Sequence, residues 1–185
     1  MWDVARIVSW KCYFCKMRRK EREVLDKEEI FEIIDRCDVV HLAMVDEGKP
    51  YVVALNFGYE RQGDDVVLYF HSAAEGKKMD ILRKSPEVYF EMDCGHQLVP
   101  GTKENPCAYG WKYQSVMGSG QVKFVQDHRE KTRILNLLVQ HGGRITDSFE
   151  YPEAMLNRVA IYQVRCSDYT AKRKRDIVDF KNHKE

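Results

Sequence analysis

The chain has 185 residues, and 30 Lys and Arg against 29 Asp and Glu give a formal net charge of +1 at pH 7. This balance excludes a strong overall field for polyanions, and 44% hydrophobic residues exclude a disordered chain. No apolar run approaches the roughly 20 residues that span a bilayer. The composition therefore predicts a globular protein that binds neither nucleic acid nor membrane.

Residues 1–16 are predicted to be an N-terminal extension of the domain. Charged residues interrupt their apolar stretch, and no small-residue cleavage site follows, so they make a poor signal peptide. Cys12 and Cys15 form a CxxC, but no second pair or HxxxH completes a zinc site, and zinc or redox chemistry there is the lesser alternative. The six cysteines are too scattered for a disulfide framework, which favours a reducing cytoplasm.

The first half of the domain is predicted to contain one helix and three antiparallel strands. Asp26 and Glu29 have capping-box spacing ahead of a helix that ends near Cys37. Segments rich in Val, Leu, Tyr and Phe, separated by turns, predict strands over 39–45, 50–59 and 66–70.

The second half is predicted to alternate between helices and strands. Its segments are a helix over 75–84, a strand over 88–92, a long loop over 94–110, a strand over 112–125, a helix from Asp127 to Gly142, and a strand over 158–165. Gly118 and Gly120 predict a bulge or a close ligand approach in the fifth strand. Six strands with two or three helices favour an antiparallel barrel with helices packed outside.

The segment 68–78, LYFHSAAEGKK, contains the strongest indication of a binding site. A strand would bring His71 and Ser72 to the edge of a sheet, and a helix would begin near Gly76, followed by Lys77 and Lys78. Helix N-termini and lysines attract anions, so the pattern predicts a phosphate cradle. The alternative is a solvated helix start with surface lysines.

Two further segments contain polar residues in apolar strands. Asn56 interrupts the segment 50–59, where it would bind a ligand amide, face solvent or bond a neighbouring backbone. The segment 111–120 mixes aromatic, small and hydroxyl residues that could line the binding site of a flat aromatic ligand.

Together, PYVVALNFGYE (50–60), LYFHSAAEGKKMDIL (68–82) and YQSVMGSGQV (113–122) resemble the nitroimidazole-resistance (Nim-type) proteins of the pyridoxamine-phosphate-oxidase-like FMN-binding split barrel. The resemblance runs from Met17 to Gly143, with a weaker match at 169–172. It implies a mainly β (α+β) fold, a six-stranded antiparallel split β-barrel with flanking helices. It also implies a domain over 17–170, followed by a basic C-terminal tail over 171–185.

The resemblance implies a homodimer with FMN bound at the subunit interface. The implied flavin contacts are Val53, Ala54, Leu55, Asn56, His71, Ser72, Gly76, Lys77, Lys78, Gln114, Ser115, Val116 and Lys172. Lys77 and Lys78 would meet the phosphate. Ala54 and Ala171 depart from the proline and glycine expected in relatives.

The activity implied is reduction of a small-molecule electron acceptor, with 5-nitroimidazoles reduced to amines. His71 would donate a proton or position the substrate, or else make a structural hydrogen bond at the strand end. The alternatives are a haem-binding or haem-degrading barrel, a non-catalytic flavin protein, and a nucleic-acid binder using the basic run 172–175. Acidic residues follow that run, which favours a solvated tail. His41, at an apolar strand position, is expected to pack in the core.

Overall fold

The computed structural model describes residues 17–174 of the chain. The CxxC at Cys12 and Cys15 and the tail from residue 175 onward lie outside the described residues. The strands are β1 (Glu23–Val24), β2 (Val40–Asp46), β3 (Lys49–Leu55), β4 (Gly58–Gln62), β5 (Asp65–Ala73), β6 (Glu87–Val99), β7 (Gly110–Val125) and β8 (Val159–Arg173). The helices are α1 (Lys27–Arg36), α2 (Lys77–Lys84), α3 (His128–Gly143) and α4 (Glu153–Arg158), with single 3-10 turns at Lys20–Arg22 and Pro106–Ala108.

All the strands belong to one antiparallel sheet with the order β3-β2-β6-β7-β8-β5-β4, and β1 adds to β8. Within residues 17–174 no pairing joins the end strands β3 and β4, so the sheet curls without closing. This arrangement confirms the predicted mainly antiparallel split barrel. None of the helices in residues 17–174 is long and apolar enough to cross a membrane.

Helix α1 covers one side of the barrel. Asp26 accepts a hydrogen bond from the backbone N–H of Glu28 at 2.9 Å, which begins the helix where the sequence predicts. The buried face of α1 consists of Ile30, Phe31, Ile33 and Ile34, which join the main core.

Helix α3 packs against β4 and β5. Asp127 caps it by accepting from the N–H of Glu130 at 2.9 Å, as predicted. The contact is close because Gly58 has no side chain: a Cβ there would lie 3.0 Å from the carbonyl carbon of Leu137. Arg133 of α3 bonds to Glu60 of β4 and to the Tyr69 hydroxyl of β5.

The strand count differs from the six predicted because two strands were not recognised. The predicted strand 50–59 breaks after Leu55, where Phe57 turns into the core, so that it forms β3 and β4. The two-residue β1 carries too few residues for a detectable pattern. Strand β8 continues to Arg173, three residues beyond the predicted domain boundary at 170.

The long loop predicted over 94–110 is shorter than expected. Strand β6 continues to Val99 and pairs with the first residues of β7, so the connection covers only residues 100–109. In this part of β6 polar residues occupy both faces of the strand, so the sequence lacks the alternation of apolar and polar residues that predicts a strand. The bulge predicted near Gly118–Gly120 is present as a register shift between Ser119 and Gln121. The close approach there is to β8, since a Cβ on Gly120 would lie 2.5 Å from the Arg165 carbonyl oxygen.

Candidate functional site

The end of β5 and the start of α2 bring five of the predicted site residues together. Strand β5 is buried from Val66 to Phe70, and its polar end begins at His71. Two residues then separate β5 from Gly76, which precedes α2 with φ of +120°, a conformation that favours glycine. No side chain caps α2, so its first-turn N–H groups are free of a side-chain acceptor. We call His71, Ser72, Gly76, Lys77 and Lys78 the α2 cradle.

The two lysines of the α2 cradle diverge. The Nζ atom of Lys77 lies 3.2 Å from a carboxylate oxygen of Asp46 and 4.9 Å from the ring centroid of Tyr51. Lys78 lies over Tyr162 instead, with its Nζ 5.9 Å from the ring centroid. Burial lowers the pKa of Lys78. Asp46 thus partly neutralises Lys77, whereas the half-buried ammonium of Lys78 is close to His71.

His71 carries little positive charge at neutral pH. Although it is among the exposed residues, partial burial of its ring lowers its pKa, and the charge of Lys78 lowers it further. A neutral imidazole offers one N–H donor and one acceptor, so it suits positioning better than proton donation. Ser72 donates to the Ala73 carbonyl at 2.9 Å, and its oxygen lies 3.1 Å from the sulfur of Met79.

Tyr162 is a residue of this region that the sequence analysis missed. It is fully buried between Phe70 and Phe124, with ring centroids 5.2 and 6.0 Å away. Its hydroxyl is the only buried side-chain nitrogen or oxygen in residues 17–174 without a hydrogen-bond partner. Nothing in the strand pattern of 159–165 distinguishes Tyr162 from an ordinary core aromatic.

Strand β3 presents its predicted contacts on two faces. Val53 and Leu55 are partly buried and pack against the core, whereas Ala54 is exposed. Asn56 follows the strand, and its amide donates to the Asp38 carbonyl at 3.2 Å. Of the alternatives for Asn56, the structure therefore shows the bond to a neighbouring backbone.

Gln114, Ser115, Val116 and Lys172 form a second group, on β7 and β8. Ser115 pairs with Lys172 across the two strands, and the side chain of Val116 is part of the core. The Oε1 atom of Gln114 accepts from Arg36 of α1 at 3.2 Å. This group therefore has different surroundings from the α2 cradle.

Strand β6 gives the spacing between the two groups. Tyr89 pairs with Ala43, and Cys94 pairs with Gln114. Cys94 is five residues from Tyr89 along β6, and Asp46, the partner of Lys77, is three residues beyond Ala43 on β2. The two groups are therefore about eight residues apart along the strands. At a rise of about 3.3 Å per residue this is about 26 Å within one chain.

Two cavities border these groups. One, of about 490 Å³, is lined by His71, Ser72 and Ala73 of β5 and by Met155, Arg158 and Val159. The other, of about 580 Å³, contains Lys172 and lies between the segment before β1, the start of β7 and the end of β8. The first cavity adjoins the α2 cradle and the second does not.

The remaining histidines of the described chain have protein partners. His41 does not pack in the core as expected: it faces outward from β2, and its Nδ1 lies 3.4 Å from Glu91. Glu91 and Asp93 with His41 place three potential metal-ligand atoms within 4.8 Å of one another, a cluster that the sequence analysis did not identify. His96 contacts Asp93, and His128 contacts Asn157. His141 is buried, with its Nε2 2.9 Å from the Cys37 carbonyl oxygen.

Comparison with known proteins identifies related sequences and folds. Residues 26–173 match the family model described as pyridoxamine 5'-phosphate oxidase. A candidate 5-nitroimidazole antibiotic resistance protein from Bacteroides thetaiotaomicron is 32% identical, over 81% of this chain and 85% of that one, with a TM-score of 0.69. No curated protein sequence matches the chain.

Two more distant structures share the fold. A flavocytochrome from Azotobacter vinelandii is 19% identical over 92% of this chain and 79% of that one, with a TM-score of 0.67. An FAD- and haem-binding protein from Mycobacterium smegmatis is 16% identical over 89% of this chain and 81% of that one, also with a TM-score of 0.67.

Proposed function

The chain belongs to the pyridoxamine 5'-phosphate oxidase family, and from this we propose that it is an FMN-dependent reductase of small electrophiles, similar to Nim-type 5-nitroimidazole reductases. The α2 cradle is the observation that carries the proposal. Its uncapped helix start, glycine and two lysines are complementary to a phosphate, and the 490 Å³ cavity beside His71 accommodates a small molecule.

The α2 cradle would hold the phosphate of FMN. The free N–H groups of the first turn of α2 would donate to phosphate oxygens, and Lys78 would supply the larger part of the positive charge. Lys77 would contribute less because Asp46 already contacts it. FMN, when bound, supplies the electron-carrying chemistry, and the chain orients it and shapes its surroundings.

The residues around the 490 Å³ cavity would bind the electron acceptor. Met155 and Val159 offer apolar surface, and Arg158 offers hydrogen-bond donors to nitro oxygens. His71 lines the same cavity, and its neutral ring would orient the acceptor by hydrogen bonding. A bound phosphate would raise the pKa of His71 by its negative charge and so increase the fraction of the ring that carries a proton to donate at neutral pH.

We also infer a homodimer in which each flavin contacts both chains. Gln114, Ser115 and Lys172 lie about 26 Å from the partner of Lys77 within one chain, so a second chain would bring them to the α2 cradle. The outer face of β2 and β3 supports this arrangement. Val45 and Val52 are each 55% exposed there, and Ala43 pairs with Val52 between them.

The four cysteines in residues 17–174 are free thiols, which favours action in a reducing cytoplasm.

The decisive experiment is turnover by the flavin-loaded protein. The purified chain is mixed with FMN, desalted, and examined for absorption at about 370 and about 450 nm. The retained flavin is then reduced without oxygen, and its reoxidation by a 5-nitroimidazole is compared with that of free reduced FMN. The proposal expects faster reoxidation on the protein, with three reduced flavins consumed for each amine formed, because reduction of a nitro group to an amine takes six electrons and each reduced flavin supplies two.

Two results would contradict the proposal in different ways. Retained flavin that is reoxidised no faster than free FMN would indicate a non-catalytic flavin protein. A haem protein would be indicated if a Soret band at about 400 nm followed mixing with haem and no flavin were retained.

A further inference from the structure

Two cysteines from distant parts of the chain lie together at the end of α1. Cys37 is the residue that follows the helix, and Cys94 lies on β6, where its side chain packs against the main core. Both are free thiols, and neither is one of the predicted site residues. We call Cys37 and Cys94 the dithiol pair.

The last turn of α1 brings the two thiols into contact. The Cys37 backbone N–H donates to the Ile34 carbonyl at 3.1 Å, which ends the helix. The Cys94 sulfur lies 3.9 Å from the carbonyl oxygen of Ile33. Ile33 and Cys37 are four residues apart and therefore lie on the same side of the helix end. On that side the thiols of Cys37 and Cys94 hydrogen-bond to each other.

A second set of contacts holds the end of α1 over this part of β6. Arg36 donates to the Oε1 atom of Gln114 at 3.2 Å, and Gln114 is the residue of β7 that pairs with Cys94. The guanidinium of Arg36 also lies beside Gly95, where a Cβ would be 3.5 Å from its Nη2. The dithiol pair therefore has a cation next to it, and a neighbouring cation favours the reactive thiolate form of a cysteine.

The two thiols differ in their access to solvent. Cys37 is 0% exposed, whereas Cys94 is only partly buried. A small reagent from solvent therefore meets Cys94 first, and Cys37 reacts only through Cys94. The other two cysteines of residues 17–174 provide internal references, because Cys166 is buried and Cys107 is exposed in the turn before β7.

We propose that the dithiol pair is a reversible oxidation site for hydroperoxides, at which Cys94 is oxidised first and Cys37 then closes an intramolecular disulfide. The disulfide would tie the end of α1 to β6. The proposal rests on the contact between the two thiols and does not depend on flavin binding at the α2 cradle.

The reaction takes place in two steps. The Cys94 sulfur attacks one oxygen of the peroxide, the O–O bond breaks, and a sulfenic acid and one water form. The Cys37 sulfur then attacks the Cys94 sulfur, the S–O bond breaks, and the disulfide and a second water form. The two thiols together lose two electrons and two protons, and hydrogen peroxide is reduced to two waters. A dithiol reductant returns both cysteines to thiols.

Peptide mapping of the full-length protein tests the proposal. The reduced protein is treated with hydrogen peroxide, its remaining thiols are alkylated, and it is digested with trypsin without reduction. The described cysteines fall on separate tryptic peptides, which are 37–61, 85–103, 104–112 and 166–172, and Cys12 and Cys15 share the peptide 12–16.

Mass spectrometry should find peptide 37–61 linked to peptide 85–103, at roughly tenfold or more the amount in untreated protein. Dithiothreitol should remove the link. On a non-reducing gel the oxidised protein should migrate as a single chain, because the disulfide is intramolecular.

Variants separate the roles of the two thiols. Cys94→Ser should abolish the link. Cys37→Ser should leave Cys94 as a sulfenic acid that dimedone labels roughly tenfold more than in the wild type, because the second thiol is missing. Cys107→Ser is the control and should leave the link unchanged. Circular dichroism checks that each variant folds, and if the buried Cys37→Ser does not, the wild type and Cys94→Ser decide the result.

Several results would overturn the proposal. These are absence of the 37–94 link after peroxide treatment, a link from Cys94 to any other cysteine or to a second chain, and a sulfenic acid that persists at Cys94 in the wild type. Failure to bind FMN would leave the peptide map unchanged and would contradict only the proposed reductase.

Discussion

The ammonium of Lys78 lies 5.9 Å from the ring centroid of Tyr162, whose hydroxyl has no hydrogen-bond partner within residues 17–174. An unsatisfied hydroxyl in a core carries a desolvation penalty, and burial raises the pKa of Tyr162 accordingly. Removing the hydroxyl should therefore stabilise the folded chain without loss of packing.

Tyr162→Phe is expected to increase the free energy of unfolding by about 1 kcal/mol, as measured by urea denaturation of the flavin-free protein. Tyr69→Phe is the matched comparison, since the Tyr69 hydroxyl donates to Glu60 at 2.6 Å and accepts from Arg133 at 3.1 Å. That variant should lose about 1–2 kcal/mol. A clear destabilisation by Tyr162→Phe would show that its hydroxyl has a partner in solution.

Lys77→Ala/Lys78→Ala should weaken FMN binding by roughly tenfold or more, because two cations leave the α2 cradle. Of the single variants, Lys78→Ala should have the larger effect, since Asp46 partly neutralises Lys77. Fluorescence titration with FMN measures the affinity of the double variant and of each single variant. Lys84→Ala/Lys103→Ala, at exposed positions away from the start of α2, is the charge-matched control, and equal losses in both double variants would argue against a specific phosphate contact.

The stability of the chain should fall as the pH is lowered from 7.5 to 5. Burial lowers the pKa of His141, so the unfolded chain, with a pKa of about 6.5, takes up a proton before the folded chain does. The unfolded state then binds more protons, and the free energy of unfolding decreases as the pH falls through this window.

Urea denaturation at both pH values, with His141→Asn beside the wild type, isolates this contribution. The variant should be less stable at pH 7.5, because it loses the hydrogen bond to Cys37, but its stability should depend less on pH. Glu91 makes the stability rise as the pH falls, because burial and then Asp93 raise its pKa. This contribution is the same in both proteins and cancels in the comparison. Identical slopes in the two proteins would refute the assignment to His141.

Gly58→Ala should destabilise the chain by about 1–3 kcal/mol, since the new Cβ would lie 3.0 Å from the backbone of Leu137 and Leu138. Gly142→Ala is the control. It lies within α3 with open space around it, and alanine there should be neutral or stabilise by up to about 1 kcal/mol. Thermal unfolding of both variants measures the difference, and a harmless Gly58→Ala would mean that α3 shifts outward easily.

Val52→Lys should convert the proposed dimer into a monomer, because it places a charge on the outer face of β3 where the side chain is 55% exposed. Flavin retention should fall with it. Val139→Lys, at a 38% exposed position on α3, should change neither the mass by light scattering nor the flavin content. A wild-type protein that is already monomeric would remove the shared-flavin proposal.

Local residue patterns account for most of the predicted fold. Asp26 and Asp127 are caps whose effect extends over one helical turn, and both were visible in the sequence. The break between β3 and β4 was not visible, because Phe57 continues the apolar pattern while its backbone leaves the strand. The outer part of β6 was missed for the opposite reason, since its polar residues are held in the strand only by pairing with β7.

The α2 cradle was predictable because its residues are adjacent in the chain. The outward position of His41 and the orphaned hydroxyl of Tyr162 depend on which face of a curled sheet each residue occupies. The 580 Å³ cavity that contains Lys172 joins residues 17–22, 107–113 and 172–174, and no local pattern links such distant segments.

The place of β8 in the sheet has a consequence for biosynthesis. Residues 159–173 pair with β5, β7 and β1 at once, so the β3-β2-β6-β7 part of the sheet cannot be joined to the β5-β4 hairpin before the ribosome has made this segment. Until then β5 and β7 each have an unpaired edge, which is a template for aggregation. Completion of the barrel therefore follows translation of β8, and nascent chains stalled before residue 159 are the form most in need of a chaperone.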